Sequence, residues 1–394
     1  MPNFIAKSVE LPRLPFSKEG VELLESASDE SCTLVRTKCF DNEFFVTLKY
    51  AKDKVVVKGE KTTKPAKIGI LQRALEIYEK EFASGVIFSA FAFKSKSLTQ
   101  KTPLVLDEDE MLNLLKTTKF SQIFVEIGFG SGRHLLYQAR TNPQTLVIGI
   151  EIYKPSIEQV AKLAIKDGLE NVALINTDAR ILLSLMPANL LSRIFLHFPV
   201  PWDDAPHRRV ISDEFVHQCV RTLKKGAKFE LRTDSDMYFE YALAKFGVAQ
   251  NAGRGAIEHF KNRDLSVSSK YEDRWRKMDK NIFDLIFTNS DENGEEPAKF
   301  DMNFSNFNPQ KMEQNFKNLT IKGDGYFVHF ERIYKFDDSD EVLILTSFGA
   351  FDFPQQCFIR IGAKTEYFLK TPLATSENYK AHKKIMEIFE LWQA

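Results

Sequence analysis

The sequence predicts an α/β protein, a doubly wound and mostly parallel sheet flanked by two α+β modules, and three observations predict it. Between residues 123 and 234, short apolar runs of strand length alternate with stretches of helical period, the pattern of parallel strands joined by helical crossovers. A glycine-rich turn, Gly128-Phe129-Gly130-Ser131-Gly132, directly follows the first of those runs. Outside them lie regions of period-two alternation, set off by polar segments that contain proline or glycine.

The elements follow in order. From Thr33 to Gly59 the pattern alternates, with Asp41 and Asn42 supplying turn chemistry, so two or three strands are expected. Ile68 to Phe82 repeats apolar residues at helical spacing and suits an amphipathic helix packing on that small sheet. Lys94 to Pro103 is polar, basic and proline-terminated, the composition of a connector, which bounds a first module at 1–103. Lysines at positions 49, 52, 54, 58, 61, 64 and 67 face only Asp53 and Glu60, so this module carries a local basic cluster. That cluster reads either as a surface that tracks phosphates or as a solvated hairpin edge guarded against aggregation.

The central region spans 104–290. Asp107 to Lys119 begins with acidic residues and reads as a helix, Ile123 to Ile127 as a buried strand, and His134 to Arg140 as the helix after the glycine turn. Leu146 to Glu151, Val172 to Asn176, Arg193 to Phe198 and Phe229 to Arg232 are further strands, with helices over Lys154–Gly168 and Glu214–Leu223. The segment 288–297 is acidic and polar, a second boundary. Beyond it, 298–394 holds strands over Gly325–Tyr334, Glu341–Phe348, Gln356–Ile361 and Thr365–Leu369 and a closing helix over Ser376–Trp392.

Composition excludes several classes. The chain has 394 residues and zero formal net charge, so any nucleic-acid surface must be local rather than global. Its four cysteines lack the paired short spacing of a zinc site or a disulfide scaffold, and no histidine has a second ligand at metal spacing, so no metal is expected. No signal peptide or membrane-spanning run is seen, which gives the expectation of a soluble, cytoplasmic protein without a membrane partner, and a monomer.

Ligands of doubly wound sheets bind outside the carboxyl ends of the strands, and Glu126, Glu151, Asp178 and Asp234 all fall at or near those ends. Gly128 and Gly130 permit close backbone approach, and the following helix N-terminus presents free N–H groups. A dinucleotide fingerprint would require glycine where Arg133 stands. Glu126-x-Gly128-x-Gly130-x-Gly132 resembles instead the loop of the S-adenosylmethionine-dependent methyltransferases, with the carboxylate of Glu151 placed to accept both ribose hydroxyls.

With these residues assembled, the stretch from about 120 to 288 resembles the bacterial tRNA (guanine-N7)-methyltransferases, the TrmB family. Phe124 to Gly132 matches the family's cofactor loop, Gly149 to Glu151 its ribose strand, and Asp178 with Ala179 its adenine corner. Phe198 to Trp202 (FPVPW) resembles its Phe-Pro-Asp-Pro-Trp, and the pair Arg208 and Arg209 its basic run. Thr233-Asp234 matches its Thr-Asp, and Ser269, Lys270, Tyr271 and Glu272 look like its Thr-Lys-Phe-Glu. The resemblance stops near Phe287, leaving the last module outside the family's usual span.

The resemblance implies a Rossmann-like, S-adenosylmethionine-dependent enzyme that methylates N7 of guanine at position 46 of the tRNA variable loop. Glu126, Gly128, Gly130, Glu151 and Asp178 are its expected cofactor residues. Asp234, Ser269, Lys270, Glu272, Arg208 and Arg209 are its expected tRNA residues. The family's catalytic Asp between the prolines is Val200 here, so Asp203 or Asp204 takes its place or the carboxylate is dispensable, with Asp234 the other catalytic candidate. Two further classes fit the same residues: a methyltransferase-like RNA-binding protein that has lost rate, and a methyltransferase for a small molecule or protein.

Overall fold

In the computed structural model, the described residues are 2–65, 68–91, 103–267, 272, 278, 280–292, 295–297, 299–351 and 354–394. The connector at 94–102 and Lys67 of the lysine cluster lie outside them. The chain opens with strands β1 (Asn3–Val9), β2 (Phe16–Lys18), β3 (Val21–Ser28), β4 (Cys32–Cys39), β5 (Asn42–Ala51) and β6 (Lys54–Gly59), then helix α1 (Ile68–Phe82) and strand β7 (Ala83–Ser89). The strands β4 to β6 and helix α1 stand where alternation and helical spacing predict them. Phe4, Val35, Phe44, Val46, Leu48, Val55 and Val57 form a core with Leu71, Ala74, Leu75 and Tyr78 of α1. Strands β1 to β3 mix charged residues into their apolar positions, and β7 follows α1 with no turn residue between, so neither shows a clear period.

The central unit comprises β8 (Val105–Leu106), α2 (Glu108–Thr117), β9 (Gln122–Ile127), α3 (Arg133–Thr141), β10 (Thr145–Ile150), α4 (Lys154–Lys166), β11 (Val172–Ile175), α5 (Ala179–Leu185), β12 (Leu191–His197), α6 (Asp213–Thr222), β13 (Leu223–Thr233), α7 (Asp236–Asn251), β14 (Gly255–Lys261) and β15 (Phe283–Asn289). Its sheet runs β14-β15-β13-β12-β9-β10-β11-β8. All neighbours from β8 to β13 are parallel, while β15 lies antiparallel to both β13 and β14. Succession moves outward from β9 in both directions, so the order reverses between β9 and β12, where such sheets open a crevice at the carboxyl ends. The acidic start of α2 is a capping box, Asp107 accepting from the Glu110 N–H and Glu110 from that of Asp107. Helix α7 and strands β14 and β15 were not expected from the sequence; α7 buries Phe239 and Phe246 yet exposes Met237 and Val248, which blurs its apolar stripe.

The chain closes with α8 (Pro309–Asn315), β16 (Leu319–Lys322), β17 (Tyr326–Phe336), β18 (Val342–Ala350), β19 (Pro354–Ile361), β20 (Thr365–Phe368) and α9 (Ser376–Gln393). The predicted C-terminal strands and helix are all present. The two flanking stretches, expected as separate modules, form one compact unit of residues 1–100 and 299–394, the outer unit in chain order, and residues 101–298 form the central unit. They share a twelve-stranded sheet, joined where Lys335 and Phe336 of β17 pair Ser28 and Ala27 of β3.

The joining has a physical cause. Each half-sheet has a helix on one face and a second apolar face with nothing of its own to cover it. Leu34 and Phe45 from one half meet Phe336, Leu343, Phe358 and Phe368 from the other, with the Phe45 and Phe358 rings edge-on at 5.1 Å. At the rim, Arg360 donates to both oxygens of Glu25 at 2.9 and 3.2 Å, and Arg36 bonds Glu25 at 2.9 Å and Glu43 at 2.6 Å. Among the described residues no helix is long and apolar enough to cross a membrane. Phe45→Ala removes the central ring of this shared core and should lower stability by about 3–5 kcal/mol in urea unfolding; a drop below about 1 kcal/mol would mean that the halves do not depend on it.

Candidate active site

Strand β9 delivers the chain to the crevice, and three glycines turn it into α3. Gly128, Gly130 and Gly132 have φ of 68°, 51° and 71°, a region that favours glycine. They serve different ends. A Cβ on Gly132 would strike Val160 of α4 at 2.4 Å, so that glycine permits helix packing, whereas nothing lies within 4 Å of a Cβ on Gly128 or Gly130. These two open backbone to the crevice.

The other strand ends converge on the loop. Glu151 accepts from the Gly130 N–H at 3.0 Å through one oxygen and from the N–H groups of Ile152 and Tyr153 at 2.8 and 3.0 Å through the other. Asn176, at the end of β11, donates to the carbonyls of Glu151 and Ile152 at 2.8 and 3.0 Å, fixing the same corner. Asp178 caps α5 through the Arg180 N–H at 2.8 Å and pairs with the Arg180 guanidinium at 3.0 Å. Glu126 departs from expectation. It is buried, with an oxygen 2.8 Å from His134 Nδ1, while the other ring nitrogen of His134 lies 3.0 Å from Gln138 Nε2. Its carboxylate ties β9 to α3 instead of standing open to a ligand.

Sequence reading missed Ile152 and Tyr153, which are 74% and 63% exposed beside Glu151. Two apolar residues immediately after the strand's terminal acid were the available signal, since a surface loop has no packing reason for them.

After β12 the chain enters the Phe198–Trp202 loop. Phe198 and Trp202 both have positive φ, 50° and 46°, so the Pro-Val-Pro segment is held between two strained aromatic residues. Arg209 does the holding. Its guanidinium is buried over the rings of Tyr241 and Tyr238, at 4.6 and 5.3 Å, and it donates to the Pro201 carbonyl at 2.7 Å and to Asp203 at 3.3 Å. Arg209, expected to meet tRNA, is therefore committed to the loop; Arg208 remains exposed, 5.0 Å over the Trp202 ring. Val200 at the loop's tip is 60% exposed, and Asp203 and Asp204 are exposed as well.

Asp234 follows β13, partly exposed, and pairs with Lys280 at 3.2 Å. Beneath it lies a closed cluster. Arg232, 1% exposed, donates to both oxygens of Asp284 at 2.7 and 2.8 Å, to Glu272 at 2.9 Å and to the Arg263 carbonyl at 2.8 Å. Burial pushes the Asp284 carboxyl up against the pull of Arg232. Burial, then the charges of His134, Arg232 and Arg263, holds the His197 imidazole well below its ordinary value, so it is neutral at pH 7.

Glu272 was expected to read the substrate, and in this structure it cannot. At 1% exposure its carboxylate is spent on Arg232, which it shares with Asp284, while Arg263 reaches Asp284 at 3.6 Å and supplies the second positive charge. Ser269 and Lys270 lie outside the described residues. Among the described residues, no group of three or more His, Cys, Asp or Glu is placed to hold a metal ion. Glu272→Ala should lower unfolding stability by about 3 kcal/mol, the effect of breaking a buried ion pair; an unchanged midpoint in chemical denaturation would mean that Glu272 is an open acceptor after all.

Residues 121–285 match a family described as putative methyltransferase. A tRNA (guanine-N(7)-)-methyltransferase of Campylobacter jejuni is 44% identical over 400 residues, covering 99% of this chain and 99% of that one. Proteins of the same name from Wolinella succinogenes and Helicobacter hepaticus are 37% and 35% identical, each over 98% of this chain and 99% of their own. The similarity, expected to end near residue 287, thus continues through the outer unit. Among solved structures, a 16S rRNA methyltransferase named KamB is 18% identical and covers 46% of this chain and 94% of that one, with a TM-score of 0.36. Because identity of this degree runs through nearly the whole chain, the chain belongs to the tRNA (guanine-N(7)-)-methyltransferase family.

Proposed function

We propose that this protein transfers the methyl group of S-adenosylmethionine to N7 of a guanine in tRNA, at position 46 of the variable loop, in the cytoplasm. The observation that carries the reading is the corner where Glu151 meets the glycine loop. Gly128 and Gly130 leave backbone accessible there, Glu151 and Ile152 stand beside it, and Asp234 ends a strand of the same sheet. Such a corner suits an adenosine with a polar tail. Glu151 is the acceptor for ribose hydroxyls, Ile152 and Tyr153 are the apolar platform for the adenine, and Asp178 lies at its edge. Glu126 acts through His134, as a positioning residue.

When bound, S-adenosylmethionine supplies a methyl on a sulfonium, which leaves as a neutral thioether. Guanine N7 offers a free lone pair and no proton, so the nitrogen attacks carbon as the carbon–sulfur bond breaks, and no base has to act first. Catalysis then lies in holding the ring in line with the methyl, a proximity effect of several kcal/mol. Asp234 is the residue assigned to that task. A carboxylate accepts from the guanine N1–H and exocyclic amine together, and with Glu272 closed off, Asp234 carries this alone, while its negative charge also offsets the positive charge that N7 methylation leaves on the ring. Arg208 and Lys270 serve tRNA phosphates, and Asp203 stays within reach of the loop without being required as a base.

Val200 supports a second reading, an RNA-binding protein that keeps the site and lacks the rate, because the loop tip presents an apolar side chain where the family has Asp. One measurement separates the two. Incubation with S-adenosylmethionine tritiated in its methyl group and an unmodified tRNA transcript should place label at N7 of the variable-loop guanine, and a transcript lacking that guanine should stay unlabelled; saturable binding without label would establish the second reading.

Two variants test the residue assignments. Asp234→Ala should lower kcat/KM by about tenfold to a hundredfold and spare cofactor affinity, and Glu151→Ala should raise the cofactor Kd by about tenfold or more, the range expected when charge-assisted hydrogen bonds are deleted. The reverse pattern in calorimetry and initial rates would overturn the assignment.

A further inference from the structure

The sheet of the outer unit has one region of face that the described residues of its shared core do not cover. The core shared by the two half-sheets draws on β3, β4 and β5 with β17 to β20, and includes no residue of β1, β6 or β7. On those strands alternation decides what lies opposite α1. Phe4, Ala6, Val55 and Val57 pack under the helix, which sends Ile5, Lys7, Lys54, Val56 and Lys58 to the other side. Lys49 follows buried Leu48 in the same way and pairs Val56 directly. The six described lysines of the sequence cluster are thereby sorted. Lys49, Lys54 and Lys58 converge on one face, joined by Lys7 from outside the cluster, while Lys52 sits in the β5–β6 turn and Lys61 and Lys64 follow β6.

Three features mark this face as a binding surface. Lys7, Lys49, Lys54 and Lys58 have no ion-pair partner among the described residues. Of the two nearby acids, Glu60 already accepts from the N–H groups of Thr62 and Thr63 at 2.7 and 2.9 Å, which leaves Asp53 in the hairpin turn. Between the lysines lies an apolar floor, where Ile5 pairs Val56 on one side and Phe88 on the other, and Phe88 is 54% exposed. In a chain of zero net charge, four ammonium groups on adjacent strands, without ion-pair partners among the described residues, are a local excess.

We propose that this face binds the tRNA backbone, its lysines on successive phosphates and Phe88 with Ile5 beneath a ribose or an unstacked base. The inference rests on the proposed function for its choice of polyanion. A charged sheet face with an aromatic at its centre is a chemistry that recognises RNA. Between the lysines Ile5 and Val56 are already half-buried, so what this face exposes there is four ammonium groups and the Phe88 ring.

The test uses the full chain and an unmodified tRNA transcript, with Kd measured by fluorescence anisotropy across a series of KCl concentrations. Lys49→Ala, Lys54→Ala and Lys58→Ala together should raise Kd by at least about tenfold near 0.1 M KCl and reduce the slope of log affinity against log salt by about 2–3, close to one unit for each lysine–phosphate pairing removed. Cofactor Kd should not change, and the same three positions as Arg should restore tRNA affinity. Lys311→Ala, Lys317→Ala and Lys322→Ala, which remove equal charge from exposed positions of the same unit, should have little effect. An unaltered Kd and slope in the first variant would overturn the proposal, as would an equal weakening in the control. Loss of self-association with tRNA affinity retained would assign the face to a second copy and likewise overturn it. If wild-type protein bound tRNA but transferred no methyl, the enzyme reading would fail while this inference would still be decided by the variants.

Discussion

The Glu151 carboxylate, accepting from the Gly130 N–H, is the interaction on which the rest of the central unit depends. It fastens the end of β10 to the loop that follows β9, at the place where strand order reverses and a crevice opens for topological reasons. Asn176 braces the same corner from β11, and the Glu126–His134 pair braces the loop from below. The site is thus held by hydrogen bonds between ends of different strands, and each one positions backbone that the others need. Pre-organisation of this kind lets a reaction with no obligatory base be run by geometry.

A second constraint lies across the crevice. Arg232 is wholly buried, and so it demands anions; Asp284 and Glu272 answer it, and Asp234 stays with Lys280 as the accessible carboxylate of that corner. The nearby Pro-Val-Pro loop keeps its shape through Arg209, whose guanidinium is sandwiched against two tyrosines while it grips the Pro201 carbonyl. Arg209 looks like an RNA-binding residue in the sequence. Burial converts it into framework, which leaves Arg208 as the exposed cation of the Arg208–Arg209 pair.

The outer unit answers a different need. Neither flank alone covers its second apolar face, and pairing across the length of the chain closes both. That closure stops short of β1, β6 and β7, whose face away from α1 carries lysines without ion-pair partners among the described residues. Relatives that match across the whole chain carry this unit too, so it belongs to this branch of the family and not to one protein.

Local pattern determined much by itself. The alternation of short apolar runs with helical stretches gave the parallel sheet, the glycines with the acid after the second strand gave the corner proposed for the cofactor, and the order of short motifs gave the family. What the period of a strand or helix cannot carry is which distant surfaces meet. The union of the two flanks, the withdrawal of Glu126 into a hydrogen bond with His134 and of Glu272 into an ion pair, and the capture of Arg209 were decided only by the tertiary structure. The reason is common to them: a charged or apolar side chain is free or spent according to what packs against it, and those partners lie anywhere from 8 residues away, as for Glu126 and His134, to 335, as for Glu25 and Arg360.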